Sequence, residues 1–231
     1  MAEKKERQFV KASTGEKVSR TTAAPKAERR EKATGKRIAA FVCWLIALAC
    51  EVFVILSLNK TVTFGPYTLY VQIGLIVLDL ILCIVGAQLW KRANDVDPAS
   101  KANSVKYFLW NQMGLIAAAI CLAPLVLYLV LKRNDLDKKT RKLLMPIAAV
   151  ALVLACLLSI DWNPISEEDY NSTVAEIGTN TTVYYTQWGK SYHLDPDCQA
   201  LKRSSLIFEG TIEDALNAGR NDPCDFCVPQ H

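Results

Sequence analysis

Three cysteines and one histidine near the C-terminal end of this 231-residue chain have the spacing of a metal site. They read His193-x4-Cys198-x25-Cys224-x2-Cys227. A first pair on or just after a hairpin, followed by a Cys-x2-Cys knuckle, supplies four nitrogen and sulfur donors. That is the set a structural zinc ion favours, with all tetrahedral positions filled by protein. Soft thiolates argue against magnesium, calcium or manganese. Three cysteines do not close into a set of disulfides, so the competing pattern is one bridge, Cys198–Cys224 or Cys198–Cys227, with a free thiol. His231 is a substitute for His193 in principle, but a terminal side chain is usually mobile. The other five cysteines, Cys43, Cys50, Cys83, Cys121 and Cys156, lie in apolar runs and read as small buried packing residues.

Two acids also stand in apolar surroundings, Glu51 and Asp79. An ionisable residue inside a membrane span costs ~2.5–3.5 kcal/mol on insertion scales and normally faces protein or water. In a hairpin of two spans their depths differ by only about 5 Å at ~1.5 Å per residue. They form a candidate intramembrane polar pair that shares a proton or binds a cation. The alternative is that each hydrogen-bonds another helix.

The elements that must position these residues follow from hydrophobic patterning. Four apolar runs, 38–58, 69–90, 108–131 and 143–160, carry almost no charge. A spanning helix needs ~20 predominantly apolar residues, and a soluble core helix is rarely apolar on every face for so long. Trp44, Trp90, Tyr107, Trp110 and Trp162 lie at or towards the run ends, as interfacial aromatics do. The third run opens with Asn111-Gln112 and contains Pro124. Before the first run, residues 1–37 hold twelve Lys or Arg and five Glu, and read as a disordered basic tail. Residues 161–181 read as a polar linker. Residues 182–231 read as a small folded module, with strands near 182–186 and 191–193 and a short helix capped by Thr211 with Asp214. The expected fold is therefore mainly α, a transmembrane helical bundle of four apolar helices, with a small α/β zinc-binding domain at the C-terminus.

Charge sets an orientation. The whole chain carries a formal charge of only +4, but residues 161–231 hold four basic and twelve acidic groups. Lys and Arg accumulate on the cytoplasmic side of spans, which keeps the N-terminus inside. The basic 91–107 loop agrees, whereas the six basic residues of 132–142 fall outside if all four runs cross. A re-entrant third segment would restore the rule and put the acidic module on the extracytoplasmic side. That is the orientation expected from charge alone.

The segment from Val183 to Cys227 resembles a small bacterial module related to the Ada-type metal-binding domain of DNA methylphosphotriester repair proteins. The matching elements are the aromatic hairpin ending in Tyr192-His193, Cys198 with Leu201-Lys202-Arg203-Ser204, the helix start Gly210-Thr211-Ile212-Glu213, and Pro223-Cys224 with Cys227. The resemblance implies a small α/β zinc fold and metal binding by Cys198, Cys224 and Cys227. His193 stands where that family has its methyl-accepting cysteine, so the repair chemistry does not carry over.

These readings converge on a multi-pass membrane protein presenting a structural-zinc, non-catalytic binding module for a protein or small-molecule ligand. Four protein ligands would close the metal to substrate, and the Ser, His and Asp residues form no hydrolytic motif. The alternatives are a small transporter or ion-coupled protein using Glu51 and Asp79, and a nucleic-acid module by family analogy. The net charge of −8 over residues 161–231 opposes the last, since phosphate binding wants a basic face. Besides the lipid bilayer itself, the basic tail offers a contact for anionic lipid headgroups.

Overall fold

The structure, a computed structural model, describes residues 8–11, 26–132, 134 and 136–229. Most of the basic tail and His231 lie outside the described residues. The chain divides into two compact units.

One unit, Thr34–Ala93 with Ser104–Pro164, holds the apolar helices. In chain order the elements are α1 (Lys26–Leu58), α2 (Thr68–Val96), α3 (Ser104–Asn111), α4 (Met113–Leu131) and α5 (Lys138–Ser159). Of these, α1, α2, α4 and α5 are long and apolar enough to cross a membrane. Their burial is arranged for lipid. The contact surfaces are built largely of small residues, Ala47, Cys83, Ala118, Cys121, Ala148, Ala151 and Ala155, with Val54, Ile76, Leu122 and Leu125 between them. Large apolar side chains such as Leu45, Ile120, Leu127, Val150 and Leu157 point outward and are exposed. Small residues let backbones approach where association rests on packing rather than on a hydrophobic gradient. Gly114 shows how close that approach is, since a Cβ there would lie 2.7 Å from the Ala87 Cβ.

Three differences from the patterning have physical causes. Helix α1 begins at Lys26, so residues 26–37 are helical rather than a disordered tail. Lys, Arg, Glu and Ala are strong helix formers, and Glu28 pairs with Lys32 at 2.7 Å. The third apolar run is divided at Gln112, between α3 and α4. The Gln112 amide turns aside to donate to the Asp161 carbonyl at 3.0 Å and to accept from the Asp161 N–H at 3.3 Å. Beyond that break α4 continues for 19 residues, with Pro124 inside it. Finally, Trp44 and Trp90 are buried rather than interfacial. Trp90 packs against Phe41 at 5.5 Å, Trp44 at 5.7 Å and Trp110 at 5.0 Å between ring centroids. Its indole N–H donates to the Trp110 carbonyl at 2.8 Å. Trp162 alone of the tryptophans in this unit is largely exposed.

The other unit joins Met1–Ala33, Asn94–Asn103 and Ile165–His231. It contains α6 (Glu167–Ile177), α7 (Ile212–Asn217) and a sheet of order β1-β4-β2-β3-β5. The strands are β1 (Gln8–Lys11), β2 (Val183–Tyr185), β3 (Ser191–His193), β4 (Leu206–Gly210) and β5 (Asp222–Pro223). Strand β2 pairs antiparallel with β3 and β4, while β1 and β5 join in parallel at the edges. Pro223, which has no N–H for a ladder, accordingly sits on an edge strand. Helix α7 opens with a capping box, Thr211 Oγ1 accepting from the Asp214 N–H at 3.2 Å and Asp214 Oδ2 accepting from the Thr211 N–H at 2.9 Å.

The polar stretch 161–181, expected as a linker, contains α6. Its N-cap Ser166 accepts from the Asp169 N–H at 3.0 Å, and Tyr170 and Val174 enter the core beside Ile207, Ile212 and Leu216. Two other segments of the unit pack on α6. The Arg29 guanidinium lies 4.5 Å from the centre of the Tyr170 ring, a cation–π contact from a residue that composition assigned to the tail. Lys101 Nζ pairs with Asp169 at 2.6 Å, while the Lys101 N–H at 2.9 Å and the Ser100 hydroxyl donate to Glu168. These partners hold both carboxyls below their ordinary range, Glu168 chiefly through Ser100 and Asp169 chiefly through Lys101.

Candidate metal centre

The sheet brings the four predicted donors to one place. His193 is the last residue of β3. The chain then turns at Asp195, whose carboxylate accepts from the Asp197 N–H at 2.9 Å and whose carbonyl accepts from the Cys198 N–H at 3.2 Å. Strand β5 pairs with β3 through Ser191–Asp222 and Tyr192–Pro223, and the Cys224 N–H continues this alignment onto the Tyr192 carbonyl at 3.1 Å. The knuckle closes with N–H groups of Cys227 and Val228 donating to the Cys224 carbonyl at 3.3 and 3.0 Å. A gap of 25 residues in sequence is thus bridged by one parallel strand pair.

Each of His193, Cys198, Cys224 and Cys227 offers one donor atom, and all four atoms lie within 4.8 Å of one another. Cys198 Sγ is 3.7 Å from Cys224 Sγ, and Cys227 Sγ is 3.6 Å from His193 Nδ1. All three thiols are unbridged, so neither alternative disulfide is formed. His193, Cys198 and Cys224 are buried and Cys227 is half-buried. Burial lowers the His193 imidazole from its usual value, favouring the neutral ring whose lone pair can bind a cation. Burial first, and then the neighbouring thiols, push Cys227 up to about 11, against donation from the Asp195 and Leu194 amides. The group can hold a metal ion.

Glu51 and Asp79 are both buried, but they have different partners. Glu51 Oε1 accepts from the Leu125 N–H at 2.8 Å. That amide follows Pro124, whose ring disturbs the helical ladder and leaves polar backbone to be satisfied from elsewhere. Asp79 instead accepts from the Cys83 thiol at 3.4 Å, and Asp79, Cys83 and Cys121 form a second close group of donor atoms. The patterning missed this group because it treated both cysteines as packing residues. The i,i+4 spacing of Asp79 and Cys83 was a readable signal for part of it; Cys121 comes from a different helix and carried none.

Comparison with known proteins yields no matching family model, no matching curated protein and no matching solved structure.

If Glu51 serves the Pro124 turn, Glu51→Gln keeps an acceptor for Leu125 and retains near wild-type stability in detergent. Glu51→Leu leaves that N–H buried and unpaired, and loses ~1–3 kcal/mol. Denaturation midpoints of the two purified variants check this; equal losses would contradict the role.

Proposed function

We propose that this chain is a multi-pass membrane protein whose C-terminal module is a zinc-stabilised, non-catalytic binding domain. The observation that carries the reading is the donor spacing. Zinc bonds of ~2.3 Å to sulfur and ~2.0–2.1 Å to nitrogen at tetrahedral angles separate two sulfurs by ~3.8 Å, and sulfur from nitrogen by ~3.5–3.6 Å. The separations here are 3.7 and 3.6 Å. Four protein donors fill the coordination sphere, so the ion supplies folding energy rather than a reactive water. The likeness of Val183–Cys227 to the Ada-type domain supports the same zinc fold, with His193 in place of the reactive cysteine. The binding surface then lies around the centre, where Phe226, between Cys224 and Cys227, is 67% exposed. The net charge of −8 over residues 161–231 favours a protein or small-molecule ligand over nucleic acid.

In this reading the module faces the cytoplasm, reversing the orientation expected from charge alone. The N-terminal segment, the 94–103 connection and the C-terminal module belong to one compact unit, which supports a common side of the membrane for all three. The twelve basic residues of 1–37 and four of 91–107 then lie inside, against six of 132–142 and Lys60 outside. A reducing compartment also keeps the three thiols available as ligands.

Purified, reduced full-length protein is expected to lose one zinc equivalent per chain, by elemental analysis, on Cys224→Ser substitution; unchanged zinc would refute the ligand set. A cysteine introduced by Ser205→Cys is expected to resist a membrane-impermeant maleimide in intact cells, while one introduced by Thr61→Cys reacts. The opposite labelling pattern would refute the cytoplasmic orientation.

A further inference from the structure

We propose a second metal site within the apolar helices, formed by Asp79 and Cys83 of α2 and Cys121 of α4, that takes a thiophilic divalent cation. It does not depend on the zinc module. The donor atoms of the three side chains lie within 4.8 Å of one another. All three residues are buried, with Asp79 1%, Cys83 0% and Cys121 3% exposed. Asp79 and Cys83 stand one helical turn apart on the same face of α2, and α4 presents Cys121 to that face.

The hydrogen bonds of the group are incomplete. Asp79 Oδ1 accepts from the Cys83 thiol at 3.4 Å, and Cys121 Sγ donates to the Trp44 carbonyl at 3.7 Å. Asp79 Oδ2 is buried and has no hydrogen-bond partner among the described residues. A buried carboxyl oxygen left unpaired carries its full desolvation penalty, and membrane depth provides no bulk water to relieve it. A cation between the carboxyl and the two sulfurs removes that penalty.

The donor types select the ion. Two thiolates and one carboxylate suit a borderline-soft divalent ion such as zinc rather than magnesium or calcium. Binding releases one proton from each thiol, so the two thiolates offset the ion's charge of +2 and the site keeps only the single negative charge of the Asp79 carboxylate. With three protein donors one tetrahedral position stays open, so this site exchanges its ion more readily than the four-donor module.

The test uses full-length protein in lipid nanodiscs, reduced, loaded with Zn²⁺ and freed of excess metal. Elemental analysis is expected to find two equivalents per chain. The Cys83→Ala, Cys121→Ala double variant is expected to lose one and the Cys224→Ser, Cys227→Ser double variant the other. Cys156→Ala, at a half-buried membrane cysteine outside the group, retains both. A readout without substitutions accompanies these: Zn²⁺ is expected to protect Cys83 and Cys121 of the wild-type chain from alkylation, scored by mass spectrometry, and to leave Cys156 unprotected. One equivalent retained in the Cys224→Ser, Cys227→Ser variant, with that protection intact, supports the membrane site whatever becomes of the module. Loss of all zinc in that variant, with Cys83 and Cys121 alkylated equally with and without Zn²⁺, overturns the membrane site and leaves the module's own centre standing.

Discussion

Three sulfurs and an imidazole nitrogen converge within 4.8 Å at the edge of a small sheet, and no covalent bond joins them. As thiolates the sulfurs would repel one another, and in the proposed reading a cation among them offsets that repulsion. The remainder of the C-terminal module brings these four donors together. Strand β5 contributes only Asp222 and Pro223, too few residues to hold an edge by backbone pairing alone, yet it delivers Cys224 beside His193. The Asp195 turn and the Cys224–Cys227 knuckle are both tight and local. A module of this size buries a modest core, and in the proposed reading the ion supplies the missing stability. Helix α6 enlarges the core with Tyr170 and Val174.

The same accounting of buried polar groups explains the apolar helices. Where water is absent, each backbone or side-chain polar atom needs a partner inside the protein. Glu51 supplies one to Leu125 beside Pro124, Gln112 to the Asp161 backbone, and Gln72 to Ser57 at 3.0 Å. Glu51 thus accepts from the amide beside Pro124, while the thiol of Cys83 donates to Asp79. Asp79 is among the exceptions, with the Trp44 indole N–H and the Ser159 hydroxyl, since one of its oxygens is left over. That leftover oxygen, next to two thiols, is what distinguishes Cys83 and Cys121 from ordinary packing cysteines.

Much of the fold was legible because it depends on local composition. Four long apolar runs with almost no charge read as long helices, though the third is divided at Gln112, and the Thr211–Asp214 cap and the Tyr-rich hairpin follow from residue types at short spacing. The donor quartet was legible because Cys and His are rare in the chain and chemically distinctive. What escaped notice depends on distant partners. Residues 26–37 lack an apolar stripe, so nothing local revealed that Arg29 covers Tyr170. Residues 161–181 looked like a linker because α6 buries just two side chains. Trp44 and Trp90 have the composition of a membrane-interface belt, and only the packing of α1 against α2 turns them inward. Strand β4 was overlooked as well: Leu206-Ile207-Phe208 is short, and its role in the middle of the sheet is set by neighbours on both sides.

The proposed dependence of the module on a bound ion is tested most directly by hydrogen exchange on the full-length protein in nanodiscs, loaded with zinc and then stripped with a chelator. The account predicts that amides of β2 to β5, α7 and the Cys224–Cys227 knuckle lose their protection while those of α1, α2, α4 and α5 within the apolar unit keep it. Protection of residues 183–228 that persists unchanged after the metal has been stripped would contradict it.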